Sequence, residues 1–167
     1  MNADAFRHFF EYHFTENRTI WETYITALSH EQFIRDSAYS HGSVRNQVVH
    51  VMSADDTWFS ELRGVELLHP YNPADFDDRK ILRAHWDDLE RTMRDYLAKL
   101  RDDMLFNKPF AEGRFAPEED KDLILWQVLL HVVNHGTDHR AQLLRSLNDL
   151  GVKTTSQDYI FYVYDHP

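Results

Sequence analysis

The chain has no cysteine in its 167 residues. A disulfide framework is therefore excluded, and the absence fits a reducing compartment. It also has a chemical consequence, because any thiol that reacts here must come from a separate molecule.

Long apolar runs are missing as well. No stretch approaches the roughly 18 consecutive apolar residues that a membrane span requires. The polar start MNADAFRHFFEYH lacks the basic region, apolar core and cleavage site of a signal peptide. We therefore expect a cytoplasmic protein with no membrane partner.

Basic residues are in the minority, with 18 lysines and arginines against 28 aspartates and glutamates and a formal net charge of -10. Such a charge repels phosphate backbones unless the basic residues cluster, and these do not. We expect no nucleic acid partner. The 43% of hydrophobic residues is enough for one core, so we predict a single domain spanning residues 1–167.

Four segments carry apolar residues at steps of three and four, the spacing typical of helices. They are Asp4 to Leu28, Ser43 to Arg63, Asp77 to Leu100 and Leu123 to Gly151. The acidic run Glu118 to Asp120 suits the positive amino end of the last helix, which we expect to reach about 30 residues. Four long helices without an internal repeat favour an all-α, antiparallel four-helix bundle.

Two further segments have expected structures. Met104 to Pro117 interrupts the helical pattern with Pro109 and the turn-like Glu112-Gly113, and phenylalanines flank that turn. We therefore expect a short β-hairpin before the last helix. The apolar tail Tyr159 to Tyr164 is expected to pack over a functional site or against a second subunit.

The last helical segment carries His131, His135 and His139 at a spacing of four. Four residues advance a helix by about 400°, so successive side chains lie roughly 40° apart on one face. Two imidazoles at this spacing can bind one divalent metal if a third ligand comes from elsewhere. His50 is a candidate, because it lies among valines, where an unpaired imidazole would cost roughly 1 to 3 kcal/mol.

Three stretches, GSVRNQVVHVMSADDTWFSELRG, LLHVVNHGTDHRAQLL and DYIFYVY, resemble the DinB family, also called DinB/YfiT-like. The resemblance covers nearly the whole chain in the expected order. It implies a four-helix bundle in which three histidines bind a divalent metal, one from the second helix and a pair from the last. Matched residue by residue, the implied ligands are His50, His135 and His139. The resemblance also implies a homodimer.

The implied ligand set has chemical consequences. Neutral imidazoles suit zinc and nickel alike, so the expected cofactor is a divalent Zn or Ni ion. Structural zinc is usually closed by four protein ligands, whereas three histidines leave a position open. A water or thiol bound there would be acidified and held as hydroxide or thiolate near neutral pH.

Other polar residues near the motif are candidates for further roles. His131 is a candidate catalytic residue, a fourth ligand, a group that orients a ligating ring, or an ordinary buried histidine. Arg140 is offset from His139 by about 100°, so it either reaches the pocket rim to pair with an anionic substrate or faces solvent. Three residues either orient the ligating rings or are ordinary polar positions: Asn46, Asp55 and Asp138.

Three functions follow as hypotheses. Characterised DinB-like proteins include bacillithiol transferases and mycothiol-dependent isomerases. The resemblance therefore implies a metal-dependent thiol S-transferase in detoxification or stress response, with a low-molecular-weight thiol and an electrophilic small molecule as partners. The second hypothesis is a metal-dependent hydrolase that uses bound hydroxide, with His131 as the acid or base. The third is a non-enzymatic, metal-stabilised binding or sensor bundle.

Overall fold

The computed structural model describes residues 1–67, 71–112 and 117–166, and none of these residues forms a β-strand. The described helices are α1 (Ala3–Ile20), α2 (His30–Ile34), α3 (Val44–Leu62), α4 (Arg79–Ala98), α5 (Leu125–Asp149) and α6 (Tyr159–Asp165). A π-helical turn at Trp21–Ile25 extends α1. Within the described part of the chain, every helix falls short of the length or the apolar character that a membrane span requires. The prediction of an all-α protein is confirmed over the described residues.

The ends of α3 follow the signals in the sequence. The Ser43 hydroxyl accepts a hydrogen bond from the backbone N–H of Asn46 at 3.1 Å and so caps the start of the helix. Beyond its end, Gly64 has a φ of 67°, a conformation that suits glycine and stops a helix. These two ends place His50 in the second turn of α3, on a regular stretch of helix.

The four long helices pack side by side: α3 contacts α4 and α5, and α1 contacts the same two. Arg45, at the start of α3, forms an ion pair with Asp77, just before α4. Near the other end, the rings of Phe59 and Tyr96 lie 5.5 Å apart. Helices α3 and α4 therefore run in the same direction, so the expectation that neighbouring helices are antiparallel is wrong for this pair. The long connection between them makes this possible, because it returns the chain to the end where α3 began.

The last long helix begins later than expected. The acidic residues Glu118–Asp120 form a separate 3-10 turn, and α5 contains 25 residues from Leu125 onwards. The backbone N–H groups of Leu125 and Trp126 donate to the carbonyls of Asn107 and Leu105, at 2.9 and 3.1 Å. The segment before α5 therefore provides hydrogen-bond acceptors for the first backbone N–H groups of the helix and does not continue the helix itself.

The described part of the segment before α5 contains turns and no strand. The backbone N–H of Asn107 donates to the carbonyl of Met104 at 3.0 Å, which closes a single turn. Gly113 and Phe115, on which the expected β-hairpin depended, lie outside the described residues. The hairpin is not supported, because carbonyls that a partner strand would use accept hydrogen bonds from the start of α5 instead.

The apolar tail forms α6 and packs on α1. The rings of Tyr159 and Tyr162 lie 5.2 and 5.5 Å from the ring of Tyr12. The Tyr12 hydroxyl donates to the Gln157 carbonyl at 2.8 Å, which fastens the segment before α6. Large apolar side chains on the other face of α6 are exposed to solvent: Ile160, Phe161 and Tyr164.

Candidate metal centre

His50 on α3 and His139 on α5 face each other, with their Nε2 atoms 3.2 Å apart. The two helices run in opposite directions, because Gln47 contacts His139 while the ring of Trp58 meets that of His131 at 5.1 Å. The pairing brings the middle of α3 against the part of α5 that carries the histidine repeat. His50 and His139 face each other because both lie on regular helices, where the spacing of residues determines the direction of each side chain.

His135 lies beside this pair. Its ring centroid is 4.2 Å from that of His139 and 5.3 Å from that of His50. One helical turn separates His135 from His139, and both project from α5 towards α3. The rings of all three histidines that the resemblance implied as ligands therefore lie in one cluster, but the trio whose ligand nitrogens all lie within 4.8 Å of one another contains His41 in place of His135.

A fourth histidine, His41, was missed in the sequence. Its ring stacks on that of His50, with centroids 3.8 Å apart and planes inclined by 18°. Ligand nitrogens of His41, His50 and His139 all lie within 4.8 Å of one another, which makes this the compact trio in the described part of the chain. His41 lies two residues before the cap of α3. Its closeness in sequence to α3 was the one indication that His41 could lie near the site. Helical periodicity does not predict where the side chain of a loop residue lies.

The surroundings of all four rings favour their uncharged form. Burial, followed by the charges of neighbouring histidines, lowers the pKa of His50 and of His135 to about 4. Burial also lowers the pKa of His41 and of His139. Neutral imidazoles offer a free lone pair, which is the form that binds a metal ion.

The geometry fits a divalent metal held by imidazole nitrogens. Two nitrogen ligands on a tetrahedral zinc ion lie about 3.3 Å apart, given Zn–N distances of about 2.0–2.1 Å. The 3.2 Å between the Nε2 atoms of His50 and His139 agrees with that separation. The residues present can therefore hold the kind of ion that neutral nitrogen ligands select.

Gln47 orients His139 from the side away from His50. Its amide nitrogen lies 2.8 Å from Nδ1 of His139. If Nε2 of His139 binds a metal, the proton of the neutral ring lies on Nδ1. A rotation of the Gln47 side-chain amide by 180° would then place its oxygen where it accepts a hydrogen bond from Nδ1. Among the predicted orienting residues, Asn46 instead donates to the backbone carbonyl of His41 at 3.1 Å. Asp138 accepts from Gln142 at 3.0 Å and lies near His135 and His139.

Arg140 lies inside the protein, with 1% of its surface exposed, and reaches neither a pocket rim nor solvent. Its guanidinium donates to Nδ1 of His13 at 3.0 Å, to Asn17 at 3.1 Å and to Gln157 at 2.7 Å. Both predicted positions of the Arg140 side chain are therefore wrong. The expectations failed because the acceptors come from α1 and from the segment before α6, and the pattern of α5 alone does not show them. Arg140 is not a candidate for binding substrate.

His131 is exposed and lies at the edge of the histidine cluster. Its ring is 5.5 Å from that of His135 and packs edge-on against Trp58. It is not part of the compact trio of ligand atoms. Its place beside His135 leaves it as a candidate acid or base.

Two cavities open along α3 on either side of His50, and both are lined by His50 and Ser53. The first, of about 240 Å³, is also lined by His41, Asn46, Val49, Tyr71 and Pro73. The second, of about 350 Å³, is also lined by Ala54, Thr57, Trp58, Glu61, Pro117 and Asp120. A larger cavity of about 440 Å³ lies beside Tyr39 and Leu150 and includes none of the four histidines.

Carboxyl and phenol groups in these two cavities have raised pKa values. Burial, followed by the negative charge of Asp120, raises the pKa of Glu61. The Oε2 atom of Glu61 is buried and has no hydrogen-bond partner in the described part of the chain. Burial, followed by its hydrogen bond to Asp56, raises the pKa of Tyr71. The phenol therefore keeps its proton and adds no charge to the first cavity.

The fold and the histidine cluster define an all-helical protein with a candidate metal centre formed between two of its long helices. The sequence model of the DinB family matches residues 1–166, and the chain belongs to that family. The resemblance seen in the sequence is thereby confirmed. No curated protein matches the chain.

Proposed function

We propose that the protein is a metal-dependent thiol S-transferase, built as a DinB-type four-helix bundle whose His50, His135 and His139 hold a divalent zinc or nickel ion. When bound, such an ion lowers the pKa of a coordinated thiol, which then reacts as thiolate near neutral pH. In the reaction, the sulfur bonds to an electrophilic carbon and the leaving group departs with the bonding electron pair. The thiol proton passes to water.

The observation that carries this proposal is the pair of cavities that share His50. Hydrolysis needs room for one organic substrate and a water molecule, whereas a transferase must bring two organic molecules to one point. The cavities, of about 240 and 350 Å³, are each large enough for a small organic molecule and border the same histidine and serine. Since the chain has no cysteine, the thiol is one of the two molecules.

The charged residues around the second cavity indicate which charge the electrophile carries. Glu61 and Asp120 line it, and no lysine or arginine is among its described lining residues. An anionic substrate would be repelled by these carboxylates. The negative charge of Asp120 also adds to burial, the larger cause, in raising the pKa of Glu61. The side chain of Trp58 offers an apolar wall. These features favour an uncharged electrophile in this cavity and the thiol in the other.

Hydrolysis is the second candidate, and the position of His131 favours it. An imidazole 5.5 Å from the His135 ring can exchange a proton with a water molecule at the site. The two reactions differ in one requirement, because only the transferase needs an added thiol. Turnover without thiol would therefore replace the leading proposal with this one.

The test begins with metal content. Elemental analysis compares the wild-type protein with His50→Ala and His135→Ala, and with His30→Ala as a matched control, since His30 is exposed at the start of α2. We expect stoichiometric zinc or nickel in the wild type and the control, and loss of metal in the two site variants. Full metal in His50→Ala or His135→Ala would overturn the ligand assignment.

The second stage measures reaction. The metal-loaded protein is mixed with 2-mercaptoethanol and 1-chloro-2,4-dinitrobenzene, and the loss of free thiol is followed over time. We expect thiol consumption above the uncatalysed rate in the wild type and in His30→Ala, and only the uncatalysed rate in His50→Ala. A metal-loaded wild type that reacts no faster than buffer with this and other uncharged electrophiles would count against the transferase.

A further inference from the structure

His41 is presented by a turn of unusual backbone conformation. The residues on either side of it, Ser40 and Gly42, have φ angles of 51° and 89°. A non-glycine residue with positive φ is uncommon and persists only where its surroundings hold it. The turn that carries His41 is therefore a specified structure.

Several hydrogen bonds fasten this turn to the helices that form the candidate metal centre. The Ser40 hydroxyl is within hydrogen-bond distance of the side chains of Gln47 on α3 and Gln142 on α5. Asn46 on α3 donates to the carbonyl of His41 at 3.1 Å. At Gly42, an added Cβ would lie 2.4 Å from Oδ1 of Asp36, so the turn is also closely packed. Together these contacts hold the imidazole of His41 over His50.

We propose that His41 is a displaceable fourth ligand that covers the metal position left open by the other three histidines. This inference rests on the proposed metal site. His41 has a ligand nitrogen within 4.8 Å of those of His50 and His139. A rotation of its ring out of the stack on His50 would bring that nitrogen to the separation of about 3.3 Å that two ligands of one zinc ion have. It differs from the others in being exposed and in belonging to a turn, whereas His50, His135 and His139 are half-buried on long helices.

These differences decide which ligand leaves. Moving a ligand on α3 or α5 would disturb helix packing, whereas the ring of His41 can turn out into solvent. If the protein holds the metal, a thiol that bound there would take the place of the His41 nitrogen, its proton would pass to water, and the neutral imidazole of His41 would be released into solvent. The thiol must then compete with His41, so its apparent affinity is reduced by the fraction of protein in which the position is free.

The test uses the full-length protein loaded with Co²⁺, whose electronic absorption reports the ligands, and 2-mercaptoethanol as the thiol probe. The variants are His41→Ala and the control His30→Ala. We expect the resting spectrum of His41→Ala to differ from that of the wild type, because one imidazole has been lost. With saturating thiol the two spectra should coincide, since His41 has left in both. If His41 occupies the metal in about nine-tenths of resting molecules, thiol affinity should rise about tenfold in His41→Ala.

A second variant separates the position of His41 from its chemistry. Gly42→Ala keeps the imidazole but places a Cβ against Asp36 at a residue with positive φ, so it should shift the turn and raise thiol affinity in the same direction. Identical resting spectra and thiol affinities in wild type and His41→Ala would overturn the inference while leaving the metal site intact. A wild type that binds no Co²⁺ would overturn the proposed function as well, so the two failures are distinguishable.

Discussion

The guanidinium of Arg140 donates to Nδ1 of His13 across 3.0 Å inside the protein. Because arginine is always a donor, His13 must accept at Nδ1 and carry its proton on Nε2, which lies 3.0 Å from a carboxylate oxygen of Asp55. The chain of contacts joins α5, α1 and α3 directly behind the candidate metal centre. It places a buried positive charge and a buried negative charge at the two ends of a neutral imidazole.

Removing the positive end should destabilise the fold. Arg140→Met keeps much of the side-chain volume but leaves the carboxylate of Asp55 buried without its balancing charge. We expect the free energy of unfolding to fall by at least about 3 kcal/mol, because buried acceptors on His13, Asn17 and Gln157 each lose a hydrogen bond from a charged donor, and each such bond contributes about 1.5–3 kcal/mol. Urea unfolding followed by circular dichroism measures this. Arg145→Met is the control, because Arg145 is exposed and pairs with Asp149 on the same helix, and its unfolding midpoint should not move.

Gly136 should not tolerate a methyl group. A Cβ there would lie 2.4 Å from Cε1 of His13, 2.5 Å from Nδ1 of the same ring and 3.1 Å from Nη1 of Arg140. Alanine normally favours a helix over glycine by about 1 kcal/mol. Here the overlap should reverse the sign, and we expect Gly136→Ala to lose about 1–3 kcal/mol of stability.

Asn134→Ala is the matched control for Gly136→Ala, because Asn134 is exposed two residues earlier on α5 and also gains helix propensity. Thermal unfolding should show a lower midpoint for Gly136→Ala and an unchanged or slightly higher one for Asn134→Ala. A stabilised Gly136→Ala would mean that the His13 ring can move away at no cost.

The sequence predicts those parts of the site that depend on regular helices. The clustering of His50, His135 and His139 could be predicted because spacing along a helix determines which side chains share a face, and the family motif selects among them. The role of His41 was not predicted because it lies in a turn whose conformation depends on two positive φ angles and on contacts with two separate helices. A local pattern of residues does not predict such a conformation.

The parallel direction of α3 and α4 and the burial of Arg140 were not predicted for a related reason. Periodicity defines α3 and α4 as helices, but the path of the connection between them decides that they run in the same direction. The hydrogen-bond acceptors of Arg140 are distant in sequence. His13 on α1 lies 127 residues away, and Gln157, just before α6, lies 17 residues away. The position of His13 on the apolar stripe of α1 was the one hint that a polar network lies inside.

The metal-free protein should lose stability in mild acid. Burial and neighbouring charges hold the pKa of His50 and of His135 at about 4 in the folded state, against about 6.5 for an unfolded chain. Between these values the unfolded state binds more protons, so stability is fully present above about pH 6.5 and is lost as the pH falls towards 4. Urea midpoints measured across this range should decline. In the double variant His50→Gln/His135→Gln the decline should be shallower, and an equal slope would contradict the assignment.

Gln47 should act on metal affinity without touching the metal. Its amide lies 2.8 Å from Nδ1 of His139 and fixes the plane of that ring. Partners of this kind typically change metal affinity by about 10- to 100-fold when they are removed. We therefore expect Gln47→Leu to weaken Zn²⁺ binding by about that factor in competition with a chromophoric chelator. Gln47→Glu should restore much of the affinity, because a carboxylate accepts the Nδ1 proton of a ligating imidazole.

The control for Gln47→Leu is Gln127→Leu, which removes the same amide from an exposed position in the first turn of α5. The Gln127 side chain accepts a hydrogen bond from the backbone N–H of Ile124 at 2.9 Å, at the start of the helix and before the histidine repeat. Gln127→Leu should therefore leave the Zn²⁺ affinity unchanged. Equal losses of Zn²⁺ affinity in the two variants would mean that the contact between Gln47 and His139 does not determine how tightly the metal binds.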